Sequence, residues 1–322
     1  MEEIGFGEKG VKDPGNTAGF WESFFLVLVN LIPLGVRIWV LQRFGEIAYV
    51  LDERHRRIAL RNLNIAFPER GEEERKKIAR AAFRQLGTVL AELPFIIRLN
   101  RRNVKKFIWI EGAEHFHKAE ERKRGILFLT AHFGNWEWMA ASFPLLTDHP
   151  IAVVFRPIDN PFIGRVVERL RTCTGNQGIS KQKAMARILR VLKEGGVVGI
   201  LLDQNVSWQE GVFVKFFGEW ACTNEGLALL AMKTGAAVLP GFGIRQPDGR
   251  YRLVLEPEIN LIRTGNKEHD VQANTELFTG VIERYVREYP EQWLWLHQRW
   301  KTRPWQSKKT KVTGEEPHAC NS

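Results

Sequence analysis

Between Glu72 and Phe95 apolar residues return every three or four positions. Ile78, Ala82, Phe83, Leu86, Val89, Leu90 and Leu93 form one stripe, and charges fill the opposite side in the first half. That period predicts a helix with one buried face. Further along, short solid apolar runs alternate with longer amphipathic stretches. The runs at 126–130, 150–155, 197–202, 236–240 and 251–256 read as strands, and the stretches at 135–145, 160–172, 181–194, 224–234 and 272–288 as helices. In the helix at 181–194, Ala184, Met185, Ile188, Leu189 and Leu192 share one side, and Gly195-Gly196 can end it. This alternation predicts an α/β fold, a mostly parallel sheet flanked by helices. No internal repeat is present.

The N-terminal part follows a different pattern. Phe24 to Val36 is almost entirely apolar, broken by Asn30 and Pro33, and Arg37 interrupts it before Ile38-Trp39-Val40-Leu41. A spanning helix needs about 20 apolar residues. The segment can span if Arg37 snorkels to a headgroup, lie in the interface as an anchor, or pack as a core helix. Arg54, Arg56, Arg57 and Arg61 crowd its C-terminal side, so a spanning helix leaves the large domain in the cytoplasm. Met1 to Phe20 has no basic n-region, and no cleavable signal peptide is expected. The chain thus divides into a polar segment over 1–22, a membrane-anchor helix (spanning or interfacial) over 23–50, an α/β domain over 51–305, and a disordered basic tail over 306–322.

Composition narrows the partners. The 322 residues are 44% hydrophobic, enough for one large α/β domain plus an appendage. A net charge of +10 and a pI of about 9.6 suit an anionic partner: nucleic acid, acidic lipid headgroups or an acidic protein. No zinc-finger, RNA-recognition or basic-zipper pattern accompanies the charge, so nucleic acid is not the expected partner. Tryptophan occurs 11 times, and Trp is enriched at membrane interfaces. Cys173, Cys222 and Cys320 are too widely spaced for a metal pair or a disulfide framework, which fits a reducing cytoplasmic setting. His115 and His117 would share one face of a strand but lack a third ligand, and no metal is expected.

The densest chemistry lies in His132-Phe133-Gly134-Asn135-Trp136-Glu137, directly after the strand Ile126–Thr130. An imidazole can take a proton near neutral pH, and a carboxylate can orient it and stabilise its charged form. On one continuous helix, positions five apart do not meet. With His132 on the loop and a helix starting near Asn135, Glu137 falls in the first turn and can reach back. Gly134 supplies the bend. Arg156 follows the strand 151–155, where ligands of open α/β sheets gather, and its guanidinium can grip a phosphate or form a salt bridge with Asp159 or Glu168. Asp203 ends the run from Val197, like a Walker B aspartate, but no Gly-x4-Gly-Lys-Ser/Thr accompanies it and an NTPase reading fails. It reads otherwise as a strand-end cap. Phe213 to Gly218 read as core or pocket wall, and Thr223 and Asn224 as caps for the next helix. Trp293, Trp295, Trp300 and Trp305 can dock on anionic lipid or pack a last strand against the body.

The strings "AHFGNWEW", "FRPIDNP", "LLDQN", "GVFVKFFG" and "YPEQWLWLHQRWKTRP" occur in that order. Together they closely resemble the lipid A biosynthesis (late) acyltransferase family, from about Arg54 to Pro304. The His-x4-Glu element is shared with glycerolipid acyltransferases generally. The resemblance implies a glycerolipid-acyltransferase-like core and a catalytic pair of His132, as general base on a lipid hydroxyl, and Glu137. It implies a functional arginine best matched by Arg171, with Arg169 as the alternative in the run Arg165, Arg169, Arg171. It implies that Asp203 and Gln204 line the cleft and hold the acceptor or position an arginine. Arg156 and Asn135 join them as candidate substrate-binding residues, and backbone N–H groups near Gly134 and Asn135 or an arginine would receive the oxyanion. Acyl carrier protein is implied as donor partner, with acyl-CoA as the other possible co-substrate, and no metal or redox cofactor. The resemblance further implies an anionic glycolipid acceptor, a phosphorylated glucosamine disaccharide, at the cytoplasmic face of the inner membrane. Other membrane lipids, including ornithine lipids, are alternative acceptors. A metal-dependent hydrolase using His132 and Glu137, or a non-catalytic lipid-binding protein, are the alternatives of other classes.

Overall fold

A computed structural model describes residues 18–155, 158–180 and 184–304. The expectations for the polar N-terminal residues up to 17, for Arg156, for the first turn of the 181–194 helix, for Trp305 and for the tail lie outside the described residues.

The solid apolar run Ile126–Thr130 is β2, buried at every position. Such a run suits a central strand covered on both faces. Around it lie β1 (Ile108–Glu111), β3 (Ile151–Phe155), β4 (Gln177–Ser180), β5 (Val197–Leu201), β8 (Ala237–Arg245) and β9 (Tyr251–Leu255), in the order β1-β9-β8-β2-β5-β3-β4. The stretch β8-β2-β5-β3-β4 is parallel throughout. Antiparallel pairing of β8 with β9, and parallel pairing of β9 with β1, leave the last two strands running the other way. The sheet is therefore mixed and mostly parallel, as the alternation predicts. β1 and β4 are four residues each, too short to show a periodicity. The segment read as core or pocket wall forms a separate antiparallel hairpin, β6 (Gly211–Phe216) and β7 (Glu219–Asn224).

Helices α5 (Ala113–Glu120), α6 (Trp136–Thr147), α7 (Pro161–Thr172), α8 (Ala184–Lys193), α9 (Gly226–Thr234) and α10 (Lys267–Glu288) flank the sheet. His115 and His117 lie on α5, not on a strand. Helix α10 begins earlier than its apolar stripe because the Asn266 side chain accepts from the His269 N–H and caps it there. Ahead of α9, the Asn224 side chain accepts from the Gly226 N–H, while Thr223 is buried and bonded elsewhere.

The predicted single anchor over 23–50 is two helices, α1 (Ala18–Leu31) and α2 (Leu34–Leu51), bent by 95°. Pro33 has no N–H to continue α1 and serves as N-cap of α2. Asn30 donates to the Leu26 and Pro94 carbonyls and accepts from buried Arg37, which pins the elbow to the body. No single described helix is long and apolar enough to cross a membrane. Helix α2 is followed in sequence by α3 (Glu53–Ala66) and packs against α4 (Glu72–Glu92). Gly45 meets the Phe83 carbonyl, and Gly87 the Leu41 carbonyl, where any Cβ would collide. Helix α1 is tied to α7 by Arg165–Glu22 at 2.5 Å and Arg169–Ser23 at 2.5 Å.

Candidate active site

Strands β2 and β5 are neighbours with Thr130 opposite Leu201, and the Leu202 N–H donates to the Thr130 carbonyl at 3.0 Å. Two residues past each of Thr130 and Leu201 stand His132 and Asp203. In-register parallel strands therefore deliver both side chains to one sheet end, where ligands of such sheets gather. His132 Nδ1 lies 2.8 Å from Asp203 Oδ1, and the His132 backbone N–H donates to Oδ2 at 3.0 Å. Trp293 Nε1 donates to the same Oδ2 at 2.8 Å. Asp203 is buried, and burial works to raise its pKa, but His132, Trp293 and the backbone donor outweigh burial and hold it below the ordinary range. An ionised carboxylate only accepts, so Nδ1 carries a proton, and in the neutral ring Nε2 keeps its lone pair. That nitrogen has Gln204 Nε2 at 3.3 Å. Burial lowers the His132 pKa, yet Asp203, then Glu137, overcome both burial and the opposing Arg171 and leave it raised.

The turn after His132 depends on Gly134, at φ +58°, where a Cβ would strike the Gly243 carbonyl. Helix α6 starts as predicted, with Glu137 in its first turn. Its carboxylate, however, is gripped by Arg171, with Nε at 2.9 Å from Oε2 and Nη2 on Oε1. The imidazole is oriented by Asp203 and not by Glu137. The loop points the ring toward the neighbouring strand end, and Glu137 acts on it through charge. Asp203 thus holds the histidine, not an arginine. Of Arg171 and Arg169, Arg171 reaches the cleft, whereas Arg169 donates to Gly19 and Ser23 on α1.

Asn135 stands apart from the other candidates. It is buried, its Oδ1 accepts from the Trp138 N–H to cap α6, and its Nδ2 donates to Glu92 at 2.7 Å. It shapes the loop and does not line the cleft. The Gly134 N–H, expected near an oxyanion, donates to the Gln292 carbonyl at 2.8 Å.

A cleft of about 740 Å³ opens at His132. Its polar lining includes His132, Glu137, Arg171, Gln204 and Glu210, and its apolar lining Phe128, Phe143, Ile151, Gly199, Gly241 and Leu255. The volume and lining are those of a small-molecule site. Among the described residues no group of three or more His, Cys, Asp or Glu side chains could hold a metal ion.

The sequence model of the bacterial lipid A biosynthesis acyltransferase family matches residues 11–302. The chain belongs to this family. It is 32% identical over 264 residues to the lipid A biosynthesis lauroyltransferase of Escherichia coli strain K12, covering 81% of this chain and 83% of that protein. It is 29% identical over 291 residues to the palmitoleoyltransferase of the same organism, covering 88% and 92%. The myristoyltransferase of that strain is 25% identical over 283 residues, covering 85% and 84%. The protein is thus an O-acyltransferase, and the match spans every strand of its sheet.

What sequence reading of this acyltransferase missed is the third side of the site. Trp293, Trp295 and Trp300 are buried, and no strand carries them. Trp293 donates to Asp203, while His297 and Arg299 contact the loop after it. A histidine and an arginine inside an otherwise aromatic string were the available signal.

Proposed function

We propose that this acyltransferase moves a fatty acyl chain from a thioester, carried by acyl carrier protein, to a hydroxyl of a lipid A precursor, with His132 as general base. The observation that carries the reading is His132, tied through Nδ1 to Asp203, with Nε2 at the head of an apolar cleft and, among the described residues, in hydrogen-bond contact only with the Gln204 amide. Nε2 takes the hydroxyl proton, and the alkoxide attacks the thioester carbonyl. Asp203 stabilises the imidazolium. Collapse of the tetrahedral intermediate expels the thiolate, and the imidazolium returns the proton to sulfur. Arg171, in the same cleft, is the cation placed to receive the oxyanion, and Glu137 fixes its guanidinium. The apolar part of the cleft suits the acyl chain. The steps move protons and acyl groups only, so they require neither a metal nor a redox cofactor.

The carrier is an acidic protein, and a net charge of +10 favours its encounter with this chain. A coenzyme A thioester would serve as a poorer co-substrate. The anionic acceptor is met at the inner membrane, on its cytoplasmic face. Exposed Phe20, Trp21, Phe24 and Leu28 on α1, with Trp39 and Phe44 on α2, form the apolar surface that would enter the lipid.

Purified protein in mixed micelles with lauroyl-acyl carrier protein decides the reading. The acceptor arms are a phosphorylated glucosamine disaccharide lipid, its dephosphorylated form and an ornithine lipid. Mass spectrometry should show one added acyl chain on the phosphorylated disaccharide, and His132→Ala should reduce the rate about 100-fold or more. Acylation of ornithine lipid alone would overturn the acceptor. A His132→Ala variant with more than half of wild-type activity would overturn the mechanism.

A further inference from the structure

The tryptophan-rich string near the C-terminus carries much of the family resemblance, yet the reaction above uses none of it. In the structure this string bonds to the two loops that hold His132 and Asp203, the pair on which the proposed reaction turns. On the His132 side, Gln292 accepts from the Gly134 N–H, Trp293 forms a bridge with Phe133, and the Leu294 N–H donates to the His132 carbonyl at 3.0 Å. On the Asp203 side, Trp293 donates to the carboxylate, and His297 Nε2 accepts from the Asn205 N–H at 2.7 Å. Thr302 and Asn205 exchange two hydrogen bonds, both 3.0 Å. A backbone that bonds to both loops sets their separation, and hence the His132–Asp203 geometry.

Arg299 is the second observation. It is fully buried, and its guanidinium donates to the Gln204 and Cys222 carbonyls and the Thr223 hydroxyl, at 3.4, 2.9 and 2.5 Å. None of these acceptors is a carboxylate, and its Nε has no partner. Burying a guanidinium in this way is costly. Its own pKa is pulled down to about 10 by burial, with the Asp203 charge opposing. The cation stays near Asp203 without bonding to it and ties the Gln204 loop to β7.

We propose that Gln292–Thr302 is a strap that positions the catalytic pair, acting on Asp203 through Trp293 and on the Gln204 loop through Arg299. The proposal rests on His132 being the base. The charged or titratable groups around the pair are Glu137 from α6, Arg171 from α7, Cys222 from β7, and His297 and Arg299 from the strap itself.

The test needs no lipid substrate. Diethyl pyrocarbonate modifies neutral imidazole, so its rate at His132 against pH, followed on the His132 peptide by mass spectrometry, gives that residue's titration in the full chain. Trp293→Phe keeps the ring but removes the donor to Asp203. The carboxylate then acts more strongly on His132, and the midpoint should rise. Arg299→Met removes a nearby positive charge, and the midpoint should rise by about 0.5 to 1 pH unit. Arg299→Lys keeps the charge but cannot span three acceptors. It should bring the midpoint back to the wild-type value, which assigns the shift in Arg299→Met to the lost charge. A residue that merely supports the fold would lower melting temperature and activity without moving the midpoint. An unmoved midpoint in Trp293→Phe and Arg299→Met therefore overturns the proposal. If Arg299→Met does not fold, Trp293→Phe decides alone. Failure of wild type to acylate any acceptor would instead overturn the assigned reaction and leave the titration readable.

Discussion

In the proposed reaction His132 serves as base only when neutral, and its surroundings decide where that happens. Asp203 and Glu137 raise its pKa above the ordinary 6.5 against the effect of burial. Activity should therefore fall as pH drops through a value above 6.5, seen as the acid limb of kcat/KM. Asp203→Asn removes the largest raising influence and leaves burial dominant. The limb should then move below 6.5, and turnover should drop about 100-fold or more as the ring loses its orientation. A limb that stays in place would show that Asp203 does not govern His132. Stability follows the same pair. The raised His132 contributes stability at low pH that is lost as pH rises through its folded value. The depressed Asp203 contributes stability above 3.8 that is lost as pH falls through its folded value. At this scale the histidine, the glycine and the strand-end aspartate were legible from their neighbours. The partner of Asp203 was not, because 71 residues separate it from His132.

At the scale of elements, the N-terminal pair shows how composition and geometry part company. Its apolar content was legible, as were the breakers Asn30 and Pro33, but not the angle of 95° they produce. The angle follows from Asn30 bonding to Pro94 and Arg37, contacts supplied by the folded body. Glycines at the α2–α4 crossing let the backbones touch, which holds α2 against the domain. On the proposed reading these two helices meet the membrane from one side. Alkaline carbonate should release the full-length protein, and retention in the pellet would establish a spanning segment instead. The triple replacement Trp21→Ser, Phe24→Ser and Trp39→Ser should shift the protein to the soluble fraction, because these side chains are 60%, 51% and 63% exposed and support no core.

At the scale of the whole molecule, the cleft is built where α6 and the strands β2, β3, β5, β8 and β9 converge, so no one element owns it. Two glycines keep it open. A Cβ on Gly199 would touch Ile151 at 3.3 Å, and one on Gly241 would touch Phe128 and Leu255 at 3.4 Å. A methyl group fits at either site with little displacement and takes volume from the cleft. Gly199→Ala and Gly241→Ala should therefore fold, and should lower kcat/KM selectively for the longest donors, about fourfold for each methylene excluded. Equal loss across a series of carrier thioesters would place the acyl chain elsewhere.

The chain's periodicities determined its central parallel strands and most of the helices that flank them. That information is local, since burial of one face or both writes a period into ten or twenty residues. The same local reading found His132, the bend at Gly134 and the helix that carries Glu137. Tertiary structure decided which carboxylate faces the imidazole. Glu137 is five residues from His132 and binds Arg171, while Asp203, one strand over, binds the ring. It also decided that Trp293, Trp295 and Trp300 pack inside and that Trp293 completes the site. Strand order and register create these contacts, and they are set by which strands pair across the sheet, a relation that no window of neighbouring residues contains.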